Sequence, residues 1–235
     1  MKIDIWSDIM CPFCYIGKRK LETALQQFDH KDKVEITWHS FQLDAAMQPQ
    51  PGKDIHTYLA ERKGQSREWS VRVHNQMTDM AKKEGLEYNF DKAVIANSFD
   101  AHRLIQLAKT HGKGDVAEEM LFKAYFTDGR NISNHNTLLQ IGIELGLSAI
   151  EVGEMLSTDS YAEVVNDDIE RARALGINGV PFFVIDGKYG ISGAQPAEVF
   201  LNGLQQAWTE QQATIANTED NACTADGVCK TEVNV

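Results

Sequence analysis
Ile3-Asp4-Ile5-Trp6-Ser7-Asp8-Ile9-Met10-Cys11-Pro12-Phe13-Cys14-Tyr15-Ile16-Gly17 decides the fold, because a strand pattern runs into two closely spaced cysteines and gives way at once to a helical one. Lys2 to Asp8 alternates apolar Ile3 and Ile5 with Asp4, the period of a short strand. From Pro12 to Phe28 the apolar positions Phe13, Ile16, Leu21, Ala24, Leu25 and Phe28 recur at helical spacing. Pro12 suits a first helical turn, where no amide bond is lost. Val34 to Phe41 is rich in β-branched and aromatic residues and predicts a second strand. Strand, helix and strand within about forty residues favour a parallel βαβ unit.

Downstream, Gln48-Pro49-Gln50-Pro51-Gly52 breaks the pattern, and strand signals stop for roughly the next hundred residues. Ser66 to Glu84, Asp91 to Thr110, Asp115 to Phe126, Asn134 to Leu145 and Asp159 to Leu175 carry apolar residues at helical steps, with Asp91, Asp115 and Ser133 as candidate N-caps. Val180 to Ile185 then reads as a strand, Asp186-Gly187 as a hairpin turn, and Tyr189 to Ser192 as its partner. Pro196 opens an amphipathic helix to about Gln212. Ala213 to Val235 is polar and aperiodic, the composition of a disordered tail. An α/β thioredoxin-like fold accounts for this layout with one cut in the chain. The expected divisions are a first part over 1–45, an all-helical insertion over 46–175, a second part over 176–212 and a tail over 213–235.

Composition narrows the function. The chain has 235 residues, 43% hydrophobic and 24% charged, which is ordinary for a folded protein. A net charge of -11 gives no general attraction to nucleic acid or anionic lipid. No apolar run approaches the ~18 residues of a membrane span. The N-terminus has acidic residues in its apolar stretch and no small-residue cleavage site, so it does not read as a signal peptide and a cytoplasmic protein is expected. The four cysteines fall as two pairs at opposite ends of the chain, Cys11 with Cys14 and Cys223 with Cys229. That is too few for a disulfide scaffold.

Cys11-Pro12-Phe13-Cys14 sits where a strand ends and a helix begins, and the placement suggests its chemistry. Thiolate is the attacking species, and the positive end of a helix stabilises it. Cys11, at the helix edge, is the candidate nucleophile. Cys14, within the first turn and more buried, is the candidate resolving thiol, close enough to close a disulfide. The pair also fits half of a zinc site completed by Cys223 and Cys229, or a structural staple. Pro12 and Phe13 favour helix entry over a zinc knuckle. Far along the chain, Pro181 stands just before a β-rich run, so it marks a strand's first residue or an edge. Base rates alone make the Val180-Pro181 bond trans, since only ~5% of such bonds are cis in folded proteins.

Trp6-Ser7-Asp8 leading to Cys11-Pro12-Phe13-Cys14-Tyr15-Ile16-Gly17, then Gly176-Ile177-Asn178-Gly179-Val180-Pro181-Phe182-Phe183, then Ile191-Ser192-Gly193-Ala194-Gln195, resembles the DsbA-like thiol-disulfide oxidoreductases of the FrnE type. The resemblance covers roughly residues 1 to 210. It implies a thioredoxin fold with a helical insertion, Cys11 as nucleophile, Cys14 as resolving thiol and Pro181 as a cis-proline facing them. Pro12, Phe13 and Val180 would then line the substrate site. It implies protein disulfides or dithiols as substrates, with glutathione as a further candidate, and no cofactor or resident metal. Asn97-Ser98-Phe99-Asp100-Ala101-His102-Arg103 looks like a family feature, with His102 either lining the cleft or buried as an ordinary histidine.

Two departures bear on function. A signal peptide, present in periplasmic relatives, is not read here. Phe13 stands where strongly oxidising relatives carry histidine, and it offers the thiolate neither hydrogen bond nor charge, so a less oxidising disulfide is expected. Cys223 and Cys229 lie in the polar tail, where Asp226-Gly227 permits a tight turn between them. An accessory redox pair exchanging with Cys11 is the preferred reading, beside an inert tail or a metal site. The main functional reading is protein disulfide oxidation, reduction or isomerisation. Its rivals are a glutathione-dependent isomerase or transferase, which Cys11 disfavours because such relatives use serine there, and a zinc-holding redox switch or holdase.

Overall fold
Lys2–Ser7 forms β1, the strand around which the molecule is built in the computed structural model, which describes residues 1–50 and 52–222 and side chains no further than Thr214. β1 runs parallel to β2 (Glu35–Ser40), Ile5 standing opposite Trp38, and antiparallel to β3 (Phe182–Ile185), Ile5 standing opposite Phe183. β4 (Tyr189–Ser192) completes the order β2-β1-β3-β4. The β3–β4 turn places Asp186 at φ 52° and Gly187 at φ 68°, with the Lys188 amide donating to the Ile185 carbonyl at 3.0 Å. Two left-handed residues twist with the flanking strands, so Asp-Gly is the pair this turn requires.

Past Lys2, β1 is buried on both faces. Ile3 and Ile5 pack with Leu21, Phe28, Phe200 and Leu204, contributed by α1 (Pro12–Gln27), its C-cap Phe28 and α9 (Ala197–Ala222). On the other face Trp6 meets Ala172 and Ile177 and stacks on His39 at 4.6 Å between ring centroids. Asp4 is buried there too, satisfied by His39 at 2.6 Å.

Between β2 and β3 the chain is helical: α2 (Ile55–Lys63), α3 (Arg67–Lys83), α4 (Phe99–Thr110), α5 (Gly114–Phe126), α6 (His135–Glu144), α7 (Ala149–Ser157) and α8 (Ala162–Ala174). Their apolar faces form a second core in which Leu104, Leu121, Phe122 and Phe126 pack with Cys11, Cys14, Tyr15 and Ile16 of α1 and its cap. The dithiol therefore belongs to the helical core and not to the sheet's.

Several sequence expectations are corrected. The predicted helix from Asp91 begins only at Phe99, after a 3-10 turn over Phe90–Lys92. Asn97 is the reason. Its side chain accepts from the Phe99 amide at 2.9 Å and donates to the carbonyls of Ala45 and Met47 at 3.1 Å, holding the backbone out of helix. Asp115 lies in the first turn of α5 and is not its cap; its carboxylate takes the Trp38 indole N–H at 2.9 Å. Asn134, not Ser133, caps α6 by accepting from the Thr137 amide. α8 starts at Ala162 and not at Asp159, because Arg103 draws the Ser160 and Thr158 carbonyls into a tight loop ahead of it. α2 and α7 are additional helices. α9 runs on to Ala222 where disorder was expected from Ala213; residues 213–222 hold neither Gly nor Pro to stop it. No helix among the described residues is long and apolar enough to cross a membrane.

Candidate active site
Cys11 is the N-cap residue of α1, with extended backbone (φ -87°, ψ 110°) and Pro12 in the first turn. Its amide donates to the Asp8 carbonyl at 2.9 Å, and the Cys14 amide donates back to the Cys11 carbonyl at 3.0 Å, closing the two cysteines into one turn. Both are free thiols, 3% and 1% exposed. The Cys11 Sγ points at the Val180 carbonyl, 3.4 Å away, and the Val180–Pro181 peptide bond is cis. Cys11, Cys14, Pro12, Val180 and Pro181 thus meet at one place, although a long stretch of chain separates the two groups. Phe13 is partly exposed and packs at the edge of the same core.

Gly17 makes this meeting sterically feasible. A Cβ there would lie 3.1 Å from Pro181 Cγ and 3.1 Å from Phe183 Cζ, so any side chain at this position would require the two rings to give by a few tenths of an ångström. The Gly193 amide donates to the Pro181 carbonyl at 2.8 Å, and Lys20 Nζ donates to the Ala194 carbonyl at 2.9 Å, tying the loop after β4 to the same face.

Polar groups behind the thiols were not singled out from sequence. Burial pushes the Cys14 thiol well above its ordinary range, and the neighbouring Cys11 sulfur pushes the same way. The Asp8 backbone N–H and the Ser7 hydroxyl pull in the opposite direction. Ser7 Oγ in turn donates to Glu118 Oε1 at 2.6 Å. Glu118 is fully enclosed, and burial raises its carboxyl to about 7 against the opposing pull of His102, Ser7 and Lys18. Asp8 braces the loop into the motif by accepting from the Met10 amide at 3.2 Å and the Leu43 amide at 2.8 Å. His102 does not line the cleft. It is 1% exposed on α4, its Nε2 3.6 Å from Asp8 Oδ1.

Tyr88 donates its hydroxyl to the Pro12 carbonyl at 2.6 Å, and burial raises its phenol so far that it remains a neutral donor. A pocket of about 260 Å³ opens beside Pro12 and Met10, walled by Met47, Ile55, Met77 and Phe126 with Arg62 and Lys63 among its lining residues. Glu118 had a legible signal: Leu121, Phe122 and Tyr125 follow at three, four and seven residues, so this carboxylate lies on the buried stripe of its helix. Tyr88 had none, since it sits in a loop without periodicity. Cys223 and Cys229 lie outside the described residues.

Comparison with known proteins gives the chain's family and the relatives of its fold. The family model described as DSBA-like thioredoxin domain matches residues 2–205. The uncharacterized protein YwbO of Bacillus subtilis (strain 168) is 30% identical over 206 residues, covering 86% of this chain and 94% of its own. The crystal structure of a probable DsbA oxidoreductase from Streptomyces coelicolor superposes with a TM-score of 0.85 at 39% identity, over 89% of this chain and 91% of that one. A cytosolic disulfide reductase, DsbM of Pseudomonas aeruginosa, superposes at 0.62 with 19% identity, over 89% of this chain and 99% of its own, a likeness of fold. The chain belongs to the DSBA-like thioredoxin domain family.

Proposed function
We propose that this member of the DSBA-like thioredoxin domain family is a protein thiol-disulfide oxidoreductase of the FrnE type, acting in the cytoplasm through Cys11 and Cys14. The observation that carries the reading is the Cys11 sulfur at the N-cap of α1, held 3.4 Å from the Val180 carbonyl with Cys14 one turn behind it. Cys11 thiolate attacks a substrate disulfide, forming a mixed disulfide and releasing one substrate thiolate. Cys14 then attacks Cys11, releasing the other and leaving a Cys11–Cys14 disulfide; two electrons have passed to the substrate. Run backwards, the same steps oxidise a dithiol. Pro12, Phe13 and Val180 are the proposed contacts of an extended substrate segment, and Pro181 shapes the wall facing the dithiol. The methionine-rich pocket beside Pro12 suits an apolar side chain next to the reacting cysteine. Glutathione is the candidate small thiol for returning the pair to its starting state.

Substitution separates the roles. Cys11→Ser abolishes exchange with a disulfide-bonded model protein, whereas Cys14→Ser accumulates a mixed disulfide that mass spectrometry detects at Cys11. Full turnover by Cys14→Ser with no trapped species refutes the assignment.

A further inference from the structure
Two buried polar side chains line the pocket beside Pro12 without using all of their hydrogen-bonding capacity. His74 of α3 and Tyr125 of α5 are 5% and 3% exposed there, among Met10, Met47 and Met77. Among the described residues nothing hydrogen-bonds His74 Nε2 or the Tyr125 hydroxyl, and neither atom is sealed in the core. Both open onto the cavity that their side chains line.

A chain of polar groups behind His74 sets what it offers. His56 Nε2 lies 3.1 Å from Asp91 Oδ1, and since a carboxylate only accepts, this nitrogen carries the proton. In the neutral ring His56 Nδ1 is then an acceptor, His74 Nδ1 donates to it at 2.7 Å, and His74 Nε2 keeps a lone pair. Phe90, stacked on His74 at 4.2 Å between centroids, fixes the plane of the ring. Burial, and after it the neighbouring His56, push His74 down to about 4, so the lone pair persists through the neutral range. Burial also raises the Tyr125 phenol, which stays a neutral donor.

The pocket therefore presents one fixed acceptor and one hydroxyl within apolar walls. A ligand hydroxyl can donate to the first and accept from the second, whereas a carboxylate would meet the His74 lone pair. The cations stand at the more exposed rim, where Arg62 is already bonded to Asp44 and to the Tyr58 hydroxyl. Methionines and Phe126 around a volume of about 260 Å³ suit an aromatic ring. We propose that this pocket is a specificity site for a tyrosine side chain beside the reacting cysteine of the substrate, its phenol donating to His74 Nε2 and accepting from Tyr125. The inference rests on the oxidoreductase reading and names the substrate that the site prefers.

Symmetrical disulfides of acetylated, amidated tripeptides test it, with tyrosine, phenylalanine, glutamate or alanine placed either before or after the cysteine. Reduced full-length protein carrying Cys223→Ser and Cys229→Ser, so that Cys11 and Cys14 supply the thiols, reduces them in single turnover while chromatography follows the peptide thiol released. In one of the two positions the tyrosine peptide should react roughly tenfold faster than the phenylalanine peptide, the worth of a hydrogen bond to an otherwise unpaired buried group. His74→Leu and Tyr125→Phe should each draw that ratio towards one. His74→Gln, whose amide oxygen reaches the place of Nε2, should keep the preference, as a packing role for His74 would not predict. Equal rates for tyrosine and phenylalanine in both positions overturn the site, and this comparison needs only the parent side chains at 74 and 125. A glutamate peptide that outruns both, or a ratio untouched by either variant, overturns it as well. Release of no thiol from any peptide overturns the oxidoreductase reading beneath it.

Discussion
Gly17 is a residue whose only side-chain property is absence. Substitution Gly17→Ala would press a methyl group onto two rigid neighbours, the Pro181 ring and the Phe183 ring, and Phe183 is wholly buried with its edge on Phe200 at 4.7 Å between centroids. Both rings would have to shift, so Gly17→Ala should cost about 1–3 kcal/mol, as overpacking does, and slow exchange by moving Pro181 off Cys11. Urea unfolding and a turnover assay check both; a variant of parental stability and rate would show that the contact relaxes freely. Cys11 and Cys14 were legible in the sequence as two thiols at a strand-to-helix junction, a local arrangement, whereas a cis Pro181 facing them was implied only by the family resemblance, since base rates alone make the bond trans. Ser7 and Tyr88 were not legible, and Glu118 was so only as a position on the buried stripe of its helix. Their significance arises from which helix lies behind which strand end, and no spacing in the chain encodes that.

At the scale of elements, His39 holds three of them together. Its ring nitrogens meet Asp4 of β1 and Asp168 of α8 at 2.6 Å each, while the other Asp168 oxygen accepts from the Ser40 amide of β2 at 2.9 Å and from Gln106 of α4 at 2.7 Å. Burial alone would raise the Asp168 carboxyl, but its bonds and charge pairing with His39 outweigh that and hold it below the ordinary range; Asp4 behaves likewise. A carboxyl depressed in the folded state contributes stability above its unfolded value, ~3.9, that is lost as pH falls through the folded one. The stability these two carboxyls contribute, read from urea midpoints, should therefore be lost only below about pH 5, and Asp168→Asn should be less stable at neutrality with a shallower slope in that acid range. An unchanged slope would assign the acid sensitivity elsewhere. β1 was readable although buried on both faces, because Asp4 interrupts its apolar run at period two, and α1 because its apolar residues keep helical spacing. Helix starts at Phe99 and Ala162 were not, since Asn97 and Arg103 set them through distant carbonyls.

For the whole molecule, α9 marks where core stability ends and tail chemistry begins. Phe200, Leu204 and Ala207 are the buried residues among its described side chains, with Trp208 packed on Phe28 and His30, whereas the described side chains beyond Gln212 are exposed. Truncation after Gln212 should thus leave the unfolding free energy within about 0.5 kcal/mol of the full chain, as for surface changes generally. That makes truncation a clean probe of Cys223 and Cys229. If they act as an accessory redox pair, the oxidised full chain carries a second disulfide by mass spectrometry. The truncated chain then carries one and exchanges with a model protein disulfide at an altered rate. Two polar-tail cysteines gain little from packing, so accessible chemistry is the stronger reason for their presence. Equal rates and reduction potentials for both chains, with no Cys223–Cys229 link in the oxidised full chain, would reduce the pair to bystanders and leave electron transfer to Cys11 and Cys14 alone. A zinc ion bound stoichiometrically by the full chain and lost on truncation would also count against exchange, because thiolates held by metal are withdrawn from attack.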